Sequence, residues 1–242
     1  MTVYLGRDTA LVRTVFGDKM YVDTRDTVVA PHLLLDGDWE PWIREFLTAQ
    51  LSPGMRFVDV GAHLGWYTLL ARHIVGDEGS VVAMDPVHRH VHLLRRSLAI
   101  NGYRRVEVHC GAASDHDGQL RLQCDVEWSG NARVSTDGEL IACVRLDHFV
   151  QTADFVKIDA ELHEPAVLRG MAELIENNPQ IQLLVEHHRG ETLEAEAREL
   201  SQLVRAGFKL GVVEHDGLLS ELDVGALDGV PDSEMLYLAR PR

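Results

Sequence analysis

The feature that most constrains the fold is the stretch RFVDVGAHLGWYTLL, residues 56–70, which passes from an apolar run through two glycines into helix-compatible residues. That order is typical of a buried strand, a tight turn and a helix. Gly61 can adopt backbone angles that other residues avoid, and it leaves room for a ligand beside the backbone. Because ligands of open α/β sheets bind beyond the carboxyl ends of strands, we expect a ligand site at this turn.

The spacing of the two glycines separates two classes of cofactor. Proteins that bind dinucleotides usually carry G-x-G-x-x-G, in which the second glycine admits the pyrophosphate. Here the pattern is D-x-G-x-x-x-G from Asp59 to Gly65, and His63 occupies the place of that second glycine. This form resembles the first motif of class I methyltransferases that use S-adenosylmethionine, a cofactor without phosphates. The spacing disfavours an NAD-dependent oxidoreductase, and a strand–helix turn that binds no ligand is the other alternative.

Length and charge limit the further possibilities. The 242 residues suffice for one α/β domain with additions or, at most, two small domains. A formal net charge of −15 disfavours a general affinity for nucleic acid and favours neutral, cationic or small-molecule partners. No apolar run approaches the ~20 residues that span a bilayer, and no secretory signal is visible. We therefore expect a cytoplasmic protein that does not contact a membrane.

Residues 1–50 are predicted to form an N-terminal β and helical appendage that covers the cofactor site. The resemblance of the glycine turn implies that residues 51–242 form the S-adenosylmethionine-binding methyltransferase domain. Within the appendage, residues 10–16 and 19–22 are β-prone, and a Gly-Asp pair between them is typical of a two-residue turn.

A helix is predicted to follow these strands. Asp38 is a suitable N-cap, and Pro41 suits a first helical turn. Trp39 and Glu40 lie at its start, where we expect them either to contact the ligand or only to pack against the protein.

Two further strand ends carry candidate binding groups. A predicted strand over residues 79–85 ends in Asp85, about 20 residues after the glycine turn, where an acid suits bidentate binding of two ribose hydroxyls. The next strand, residues 105–109, runs into the small residues 110–115, where a flat adenine ring would have room. A plain exit from the strand is the alternative.

The ends of the fourth and fifth strands are densely polar. The fourth strand, residues 154–159, runs into DAELHE, residues 159–164, which carries four ionisable side chains. The fifth strand, residues 181–185, ends in Glu186, His187 and His188. Because parallel strands present their carboxyl ends at one edge of a sheet, we expect acids and imidazoles from both strands at the catalytic end.

Strands and helices alternate between residues 56 and 208, which predicts an α/β fold with a mostly parallel sheet. Its expected type is the Rossmann-like sheet of class I methyltransferases. Two consecutive strands, residues 208–213 and 234–239, predict a C-terminal antiparallel hairpin at the edge of that sheet. Residues 119–124 and 140–145 alternate apolar and polar positions, which predicts an inserted hairpin.

Six signatures together resemble the FkbM family of S-adenosylmethionine-dependent methyltransferases along most of the chain. They are GDWE (37–40), FVDVGAHLG (57–65), LRRSLAING (94–102), ASD (113–115), VKIDAE (156–161) and LVE (184–186). Their combination and order are far more specific than any one of them. The resemblance implies a Rossmann-like methyltransferase fold, S-adenosylmethionine as methyl donor, and usually O-methylation of a small molecule, as in the tailoring of sugars and natural products.

The chain departs from the family pattern near the expected ligand. The family usually has Asn in place of His63 and Glu in place of Asp85. After the fourth strand it usually reads K-I-D-V-E-G, where this chain has Ala160 and Leu162. Because the missing glycine would reshape the acceptor pocket, the substrate class of the family is not carried over to this chain.

The strand ends and the resemblance together select the candidate cofactor-binding residues. These are Glu40, Asp59, Gly61, His63, Gly65, Tyr67, Thr68, Asp85, Asn101, Ala113, Ser114 and Asp159. Some relatives that methylate sugars hold a divalent metal after the fourth and fifth strands. The resemblance thus offers Asp159, Glu186 and His187 as ligands of Mg²⁺ or another divalent ion, with His187 where a second acid occurs.

Methyl transfer to a hydroxyl also needs a group that accepts the hydroxyl proton. His163 is the first candidate base, because imidazole titrates near the working pH. Asp159 would orient His163 or hold a metal, and His187 is the second candidate base. The alternative is that Asp159, Glu161 and His163 form a network with structural duties only.

The sequence therefore predicts an S-adenosylmethionine-dependent O-methyltransferase that acts on a small-molecule hydroxyl, of a natural product or a sugar. The alternative from a different class is a methyltransferase-like binding or scaffold protein without turnover, suggested by Ala160 and Leu162. A homo-oligomer is compatible with the sequence, which specifies neither the acceptor nor the atom methylated.

Overall fold

The computed structural model describes residues 1–124 and 132–241, which form three sheets flanked by helices. The strands in these ranges are β1 (Thr2–Gly6), β2 (Thr9–Arg13), β3 (Lys19–Asp23), β4 (Arg56–Val60), β5 (Ser80–Asp85), β6 (Val106–Cys110), β7 (Ala112–Ala113), β8 (Gly118–Gln123), β9 (Arg133–Val134), β10 (Glu139–Val144), β11 (Phe155–Ile158), β12 (Gln182–His187), β13 (Lys209–Val213), β14 (Leu219–Glu221) and β15 (Glu234–Ala239). The helices are α1 (Val29–Leu35), α2 (Pro41–Gln50), α3 (Trp66–Val75), α4 (His88–Asn101), α5 (Glu164–Arg169), α6 (Ala172–Asn177) and α7 (Leu193–Arg205).

The central sheet has eight strands in the order β14-β13-β15-β12-β11-β4-β5-β6. Strands β12, β11, β4, β5 and β6 are parallel, and β15 lies antiparallel between β12 and β13. This arrangement confirms the predicted α/β fold with a mostly parallel sheet and a C-terminal antiparallel pair. Both faces of the sheet are covered, which explains why its inner strands carry apolar residues on both faces, such as Phe57 and Val58.

Each face of the central sheet has its own apolar cluster. Helices α2, α3 and α4 pack on one face, where Phe57 and Phe155 stack with ring centroids 5.7 Å apart. Helices α5, α6 and α7 cover the other face around residues such as Val58 and Val156. Alternate residues of each strand therefore belong to different clusters, because successive side chains of a strand point to opposite faces.

The N-terminal residues form the predicted antiparallel sheet with one strand more than the two predicted from the hairpin pattern. Strand β2 ends at Arg13 and not at residue 16, because the Thr14 N–H donates to the carbonyl of Asp18 (2.8 Å) and closes a turn. Apolar side chains of this sheet, among them Met20 and Val22, join the cluster beneath α3 and α4. The proposed division into residues 1–50 and 51–242 stays a prediction.

The N-cap of helix α2 lies two residues later than predicted. Its N-cap is Glu40, with φ of 43°, and Pro41 occupies the first turn as expected. Asp38 does not cap the helix, because its carboxylate accepts a hydrogen bond from the Arg44 Nε (3.0 Å). The turn before α2 thus brings Glu40 to the carboxyl ends of the central strands.

The predicted inserted hairpin is present as part of a separate four-stranded sheet in the order β7-β10-β8-β9. Strands β8 and β10 pair antiparallel, with Leu122 opposite Glu139 and Gly118 opposite Cys143. Within residues 1–124 and 132–241, every helix is too short or too polar to cross a lipid bilayer.

Candidate active site

A cavity of about 700 Å³ lies at the carboxyl ends of β4, β5, β11 and β12. The N-terminal segment before α2 and the small inserted sheet complete its wall. Nine of the residues selected from the sequence line it: Glu40, Gly61, His63, Tyr67, Asp85, Ala113, Asp159, His163 and Glu186. The cavity wall does not include Asp59, Gly65, Thr68, Asn101, Ser114 or His187.

The glycine turn brings the ends of two strands together. Gly61 has φ of 73°, and a Cβ atom there would lie 1.6 Å from the backbone oxygen of Asp159. The N–H groups of Gly61 and Ala62 both donate to the carbonyl of Met84 (2.9 and 3.0 Å). Only glycine therefore allows the loops after β4 and β11 to meet at the cavity.

Asp59, Gly65 and Thr68 support this turn from behind the cavity wall. The Thr68 hydroxyl donates to the buried carboxylate of Asp59 (2.6 Å), and burial raises the pKa of Asp59. Gly65 caps α3 with φ of 91°, where a Cβ would meet Leu94 at 2.2 Å. These three residues stabilise the conformation of the turn and do not face the cavity.

Asp85 ends β5 and faces the cavity. Its Oδ2 accepts the backbone N–H of His63 (2.8 Å), and its Oδ1 accepts that of Val87 (2.9 Å). The same Oδ1 lies 3.0 Å from Nδ1 of His90. Burial alone would raise the pKa of Asp85, but His90 and the Val87 N–H lower it, so this carboxyl is ionised at neutral pH.

The second histidine beside Asp85 is His63 itself, whose ring meets the His90 ring edge-on at 4.3 Å. Burial lowers the pKa of His63 to about 3, so its imidazole is neutral. His90 was not selected from the sequence, although it lies on the first turn of the helix that follows Asp85.

The other end of the cavity holds a cluster of acids and two cations. The Lys157 ammonium donates to Asp159 (2.8 Å) and to the carbonyl of Gly61 (3.2 Å). The Glu186 carboxylate lies 2.9 Å from Nε2 of His188. Glu161, Glu186 and His188 each bring one potential ligand atom within 4.8 Å of the others.

Burial and nearby charges change the pKa values in this cluster, and the direction of the change differs between residues. Burial, followed by the negative charge of Asp159, raises the pKa of Glu161 to about 8. Burial would lower the pKa of His188, but its hydrogen bond with Glu186 raises the value to about 10. Burial would raise the pKa of Asp159, but the charge of Lys157 lowers it. At neutral pH, Asp159 is therefore a carboxylate and His188 an imidazolium.

His163 lies in the wall beside this cluster. Its Nε2 is 3.0 Å from the hydroxyl of Ser114, and burial lowers the pKa of His163. Ser114 was predicted to contact the cofactor, but it is fully buried behind the wall, where it contacts His163. Ala113, the residue before it, does line the cavity, because neighbouring residues of an extended segment face opposite sides.

The structure corrects the predicted placement of His187. Its side chain is fully buried, and its Nδ1 lies 2.9 Å from Glu196 of α7, on the face of the sheet away from the cavity. Successive residues of β12 point to opposite faces, so Glu186 and His188 reach the cavity and His187 does not. Because side chains at i and i+2 of a strand share a face, the choice of Glu186 would have selected His188 as well.

Asn101 also lies away from the predicted site. Its side-chain amide accepts the Lys19 N–H (2.9 Å) and donates to the Lys19 carbonyl (2.7 Å), which fastens β3 to the end of α4. Helix α4 starts at the carboxyl end of β5 and runs back along the sheet. Its last residue is therefore at the amino ends of the strands, far from the cavity.

The N-terminal segment contributes a further acid to the cavity. The Tyr67 hydroxyl donates to the Glu40 carboxylate, whose pKa is raised by burial. The Lys157 ammonium lies 5.0 Å from the centre of the Tyr67 ring. Trp39 lines the cavity next to Glu40, so both residues for which ligand contact or packing was left open face the cavity.

Known proteins share this chain's sequence pattern and fold. The model of the methyltransferase FkbM domain matches residues 59–210. No curated protein sequence matches the chain significantly.

Solved structures share the fold at low identity. An O-methyltransferase from Bacillus cereus in complex with SAH is 14% identical, with a TM-score of 0.52 over 88% of this chain and 87% of its own. A Streptococcus mutans chain assigned to the methyltransferases, also with SAH, is 11% identical, with a TM-score of 0.53 over 83% of this chain and 97% of its own. An S-adenosylmethionine-dependent O-methyltransferase from Thermotoga maritima is 14% identical, with a TM-score of 0.50 over 96% of this chain and 77% of its own.

These identities show a shared fold alone, whereas the match to the FkbM domain covers more than half of the chain. The glycine turn, the acid after β5 and the polar ends of β11 and β12 all lie inside the matched range. The chain belongs to the FkbM family of S-adenosylmethionine-dependent methyltransferases.

Proposed function

We propose that this protein transfers the methyl group of S-adenosylmethionine to a hydroxyl of a small molecule, such as a natural product or a sugar. One observation carries the proposal: a single cavity joins the glycine turn and Asp85 to the cluster of Asp159, Glu161 and His188. Methyl transfer requires donor and acceptor in line within one space, and much of its acceleration comes from that positioning. The end with the glycine turn and Asp85 thus suits the methyl donor, and the end with the acids suits the acceptor.

The cavity wall fits the parts of the proposed methyl donor. The carboxylate of Asp85 suits hydroxyls of a ribose, and Ala112 and Ala113 leave room for a flat base. The indole N–H of Trp66 is buried and finds no acceptor within the described residues, although Trp66 lines the cavity. A bound ligand with a hydrogen-bond acceptor would satisfy that donor. S-adenosylmethionine supplies a methyl group on a positively charged sulfur.

Glu161 is the group that we propose to accept the proton of the acceptor hydroxyl. Its pKa of about 8 lies near a working pH, which is the condition for an effective general base. Asp159 is held by Lys157 and stays ionised, so it orients this end of the cavity. His163, the base favoured from the sequence, is the second candidate, because its Nε2 is engaged by Ser114.

A divalent metal fits this cluster poorly. Glu161, Glu186 and His188 bring ligand atoms together, but Glu186 is already paired with His188. The raised pKa of His188 means that its imidazole carries a proton where a metal would need a lone pair. Asp159 is likewise neutralised by Lys157. We therefore assign no step of the reaction to a metal.

A second candidate function is that of a methyltransferase-like protein that binds the donor without turnover. Leu162 favours it, since its side chain lines the acceptor end of the cavity and its backbone is left-handed, with φ of 74°. A bulky apolar residue there narrows the space for an acceptor. Activity and binding therefore have to be measured separately.

Calorimetry with S-adenosylhomocysteine tests the donor site. We expect the wild-type protein to bind it, and Asp85→Ala to weaken binding about 10- to 100-fold, because a hydrogen bond to a charged group is worth about 1.5–3 kcal/mol. The control is Asp36→Ala, which removes an exposed carboxylate that is not part of the cavity wall. Equal affinity of wild-type protein and Asp85→Ala would contradict the ribose assignment.

Transfer of labelled methyl from S-adenosylmethionine to extracts of hydroxyl-bearing metabolites tests the reaction. A labelled product whose methyl is attached to oxygen supports the proposed O-methyltransferase. Tight binding of S-adenosylhomocysteine together with no transfer to any extract would support the second candidate. A product methylated at nitrogen or carbon would contradict the proposed reaction while leaving the donor site in place.

A further inference from the structure

The hydrogen bonds of Asp85 limit what its carboxylate can offer a ligand. An ionised carboxylate has about four acceptor positions. Oδ1 already faces two partners, the Val87 N–H at 2.9 Å and the His90 Nδ1 at 3.0 Å, and Oδ2 accepts the His63 N–H at 2.8 Å. Among the partners that residues 1–124 and 132–241 supply, this leaves one position on Oδ2 for a ligand. A ribose diol has two hydroxyls, so the carboxylate alone is one acceptor short.

His90 is placed to bind the second hydroxyl. It lies in the cavity wall beside Asp85 and is 3% exposed. Because the carboxylate can only accept, the proton between these two groups lies on Nδ1 of His90. Nε2 is therefore the ring nitrogen that is left to hydrogen-bond a ligand hydroxyl, which can donate or accept.

The ring of His90 is also held in place. Its Nδ1 is fixed by the Asp85 carboxylate, and its ring meets the His63 ring edge-on at 4.3 Å. Its backbone belongs to the first turn of α4. A side chain that is already fixed loses little conformational entropy when a ligand binds, so its hydrogen bond contributes more to affinity.

We propose that Asp85 and His90 recognise the ribose of the cofactor together, with Oδ2 of Asp85 accepting a hydrogen bond from one hydroxyl and Nε2 of His90 hydrogen-bonded to the other. The inference rests on the proposed donor site and deepens it, because it names a residue that determines specificity for an intact ribose. The competing arrangement is a carboxylate that binds both hydroxyls. It would require Oδ1 to give up the Val87 N–H or His90, which would leave a buried group without its partner.

The two arrangements predict different responses to ribose analogues. The probes are S-adenosylhomocysteine and its 2′-deoxy and 3′-deoxy forms, titrated calorimetrically into the full-length protein. We expect wild-type protein to bind each deoxy form about 3- to 10-fold more weakly, as one neutral hydrogen bond is worth about 0.5–1.5 kcal/mol. In His90→Phe, one of the deoxy forms should bind as well as S-adenosylhomocysteine, while the other stays weaker.

His92→Phe is the matched control, because His92 lies on the same helix but is exposed and outside the cavity wall. It should keep the wild-type preference for both hydroxyls. His90→Gln serves as a second variant in case the phenylalanine disturbs folding. Its amide can donate to Asp85 and accept from a hydroxyl, so discrimination against both deoxy forms should return.

The remaining outcomes show whether the role of His90 or the donor site itself is wrong. If His90→Phe weakens all three ligands by the same factor, His90 only supports the fold and the inference is wrong. If His90→Phe binds all three as the wild type does, Asp85 binds both hydroxyls, and the inference is wrong again. If folded wild-type protein binds none of the three, the proposed donor site itself fails, and the inference fails with it.

Discussion

Glu161 shows how a single residue acquires reactivity from its surroundings. Its backbone is left-handed, with φ of 49°, a conformation that non-glycine residues adopt at a cost of about 1–3 kcal/mol and that clusters at functional sites. The side chain lines the cavity beside Asp159 and His188. Burial and the nearby negative charge together make this carboxyl a stronger base than an ordinary glutamate.

We expect Glu161→Gln to lower kcat by about 10²- to 10⁴-fold, the usual contribution of a general base. Affinity for S-adenosylhomocysteine should change little. The wild-type rate should rise with pH until about pH 8, because the base must be deprotonated, and the variant should lose that rise.

His163→Gln is the comparison that decides between the two candidate bases. It should lower kcat less than Glu161→Gln and keep the rise toward pH 8. A larger loss for His163→Gln, together with an unchanged profile for Glu161→Gln, would return the role of base to His163.

At the scale of elements, the direction of α4 decides which of its residues meet the ligand. The helix begins beside Asp85, so His90 on its first turn lines the cavity. It ends at the opposite edge of the sheet, where Asn101 holds β3 through two hydrogen bonds to Lys19. One helix thus contributes to the ligand site at its start and to the docking of the N-terminal sheet at its end.

Asn101→Ala should lower the free energy of unfolding by about 0.5–1.5 kcal/mol, because it removes the two hydrogen bonds that hold the exposed backbone of Lys19. Denaturant unfolding measures the loss. The affinity for S-adenosylhomocysteine should stay within about twofold of the wild type.

Asn177→Ala, at the exposed last residue of α6, is the control and should leave stability nearly unchanged. A strong loss of ligand affinity in folded Asn101→Ala would show that Asn101 does act on the donor site.

The charged side chains at the ends of β11 and β12 form ion pairs with one another. Lys157 of β11 is matched with Asp159, and Glu186 of β12 is matched with His188. We therefore expect dialysis against EDTA to change the methyl-transfer rate by less than about twofold, because the cluster already contains its own cations.

Added Mg²⁺ or Mn²⁺ should have equally little effect on the dialysed protein. Loss of activity on dialysis, with recovery on addition of either ion, would reinstate the metal that the family resemblance suggests.

At the scale of the whole molecule, the cavity makes stability depend on pH. Glu161 and His188 both bind protons more tightly in the folded chain, with pKa values raised from 4.5 to about 8 and from 6.5 to about 10. The stability that they contribute is complete below the unfolded pKa values. The contribution of Glu161 to stability is lost as pH rises to about 8, and that of His188 is lost as pH rises to about 10.

We therefore expect the free energy of unfolding to fall by about 1–3 kcal/mol between pH 7 and pH 10, since each pKa unit corresponds to about 1.4 kcal/mol and part of the effect is screened. Urea unfolding at several pH values measures it. The double variant Glu161→Gln, His188→Asn should show a flatter dependence. A wild-type stability that stays constant or rises over this range would contradict the assigned shifts.

Several features of the fold were predictable because their causes are local. The apolar run, the glycines and the helix-compatible residues around Gly61 are neighbours in the chain, and their order predicts a strand, a turn and a helix. The same holds for the acid at the end of β5 and for the alternation that marks β8 and β10. Boundaries shifted where side chains formed contacts of their own, as Asp38 did with Arg44.

The candidate site was predictable only in part. The strand ends pointed to Asp85, Asp159 and Glu186, and all three line the cavity. His187 and Ser114 were selected by their place in the chain, but the alternation of an extended strand turns their side chains away from it. His90 and His188 were not selected as site residues, although the same alternation and the start of α4 pointed to them.

The sequence by itself determined the order of elements and the residue types at each strand end, since both follow from periodicity and turn chemistry over a few residues. Only the tertiary structure decided which strand ends converge, which imidazole faces the cavity, and how far each carboxyl is shifted from its ordinary pKa. The physical reason is that burial and the distance between charges depend on residues far apart in the chain, such as Lys157 with Asp59 and Gly61 with Asp159.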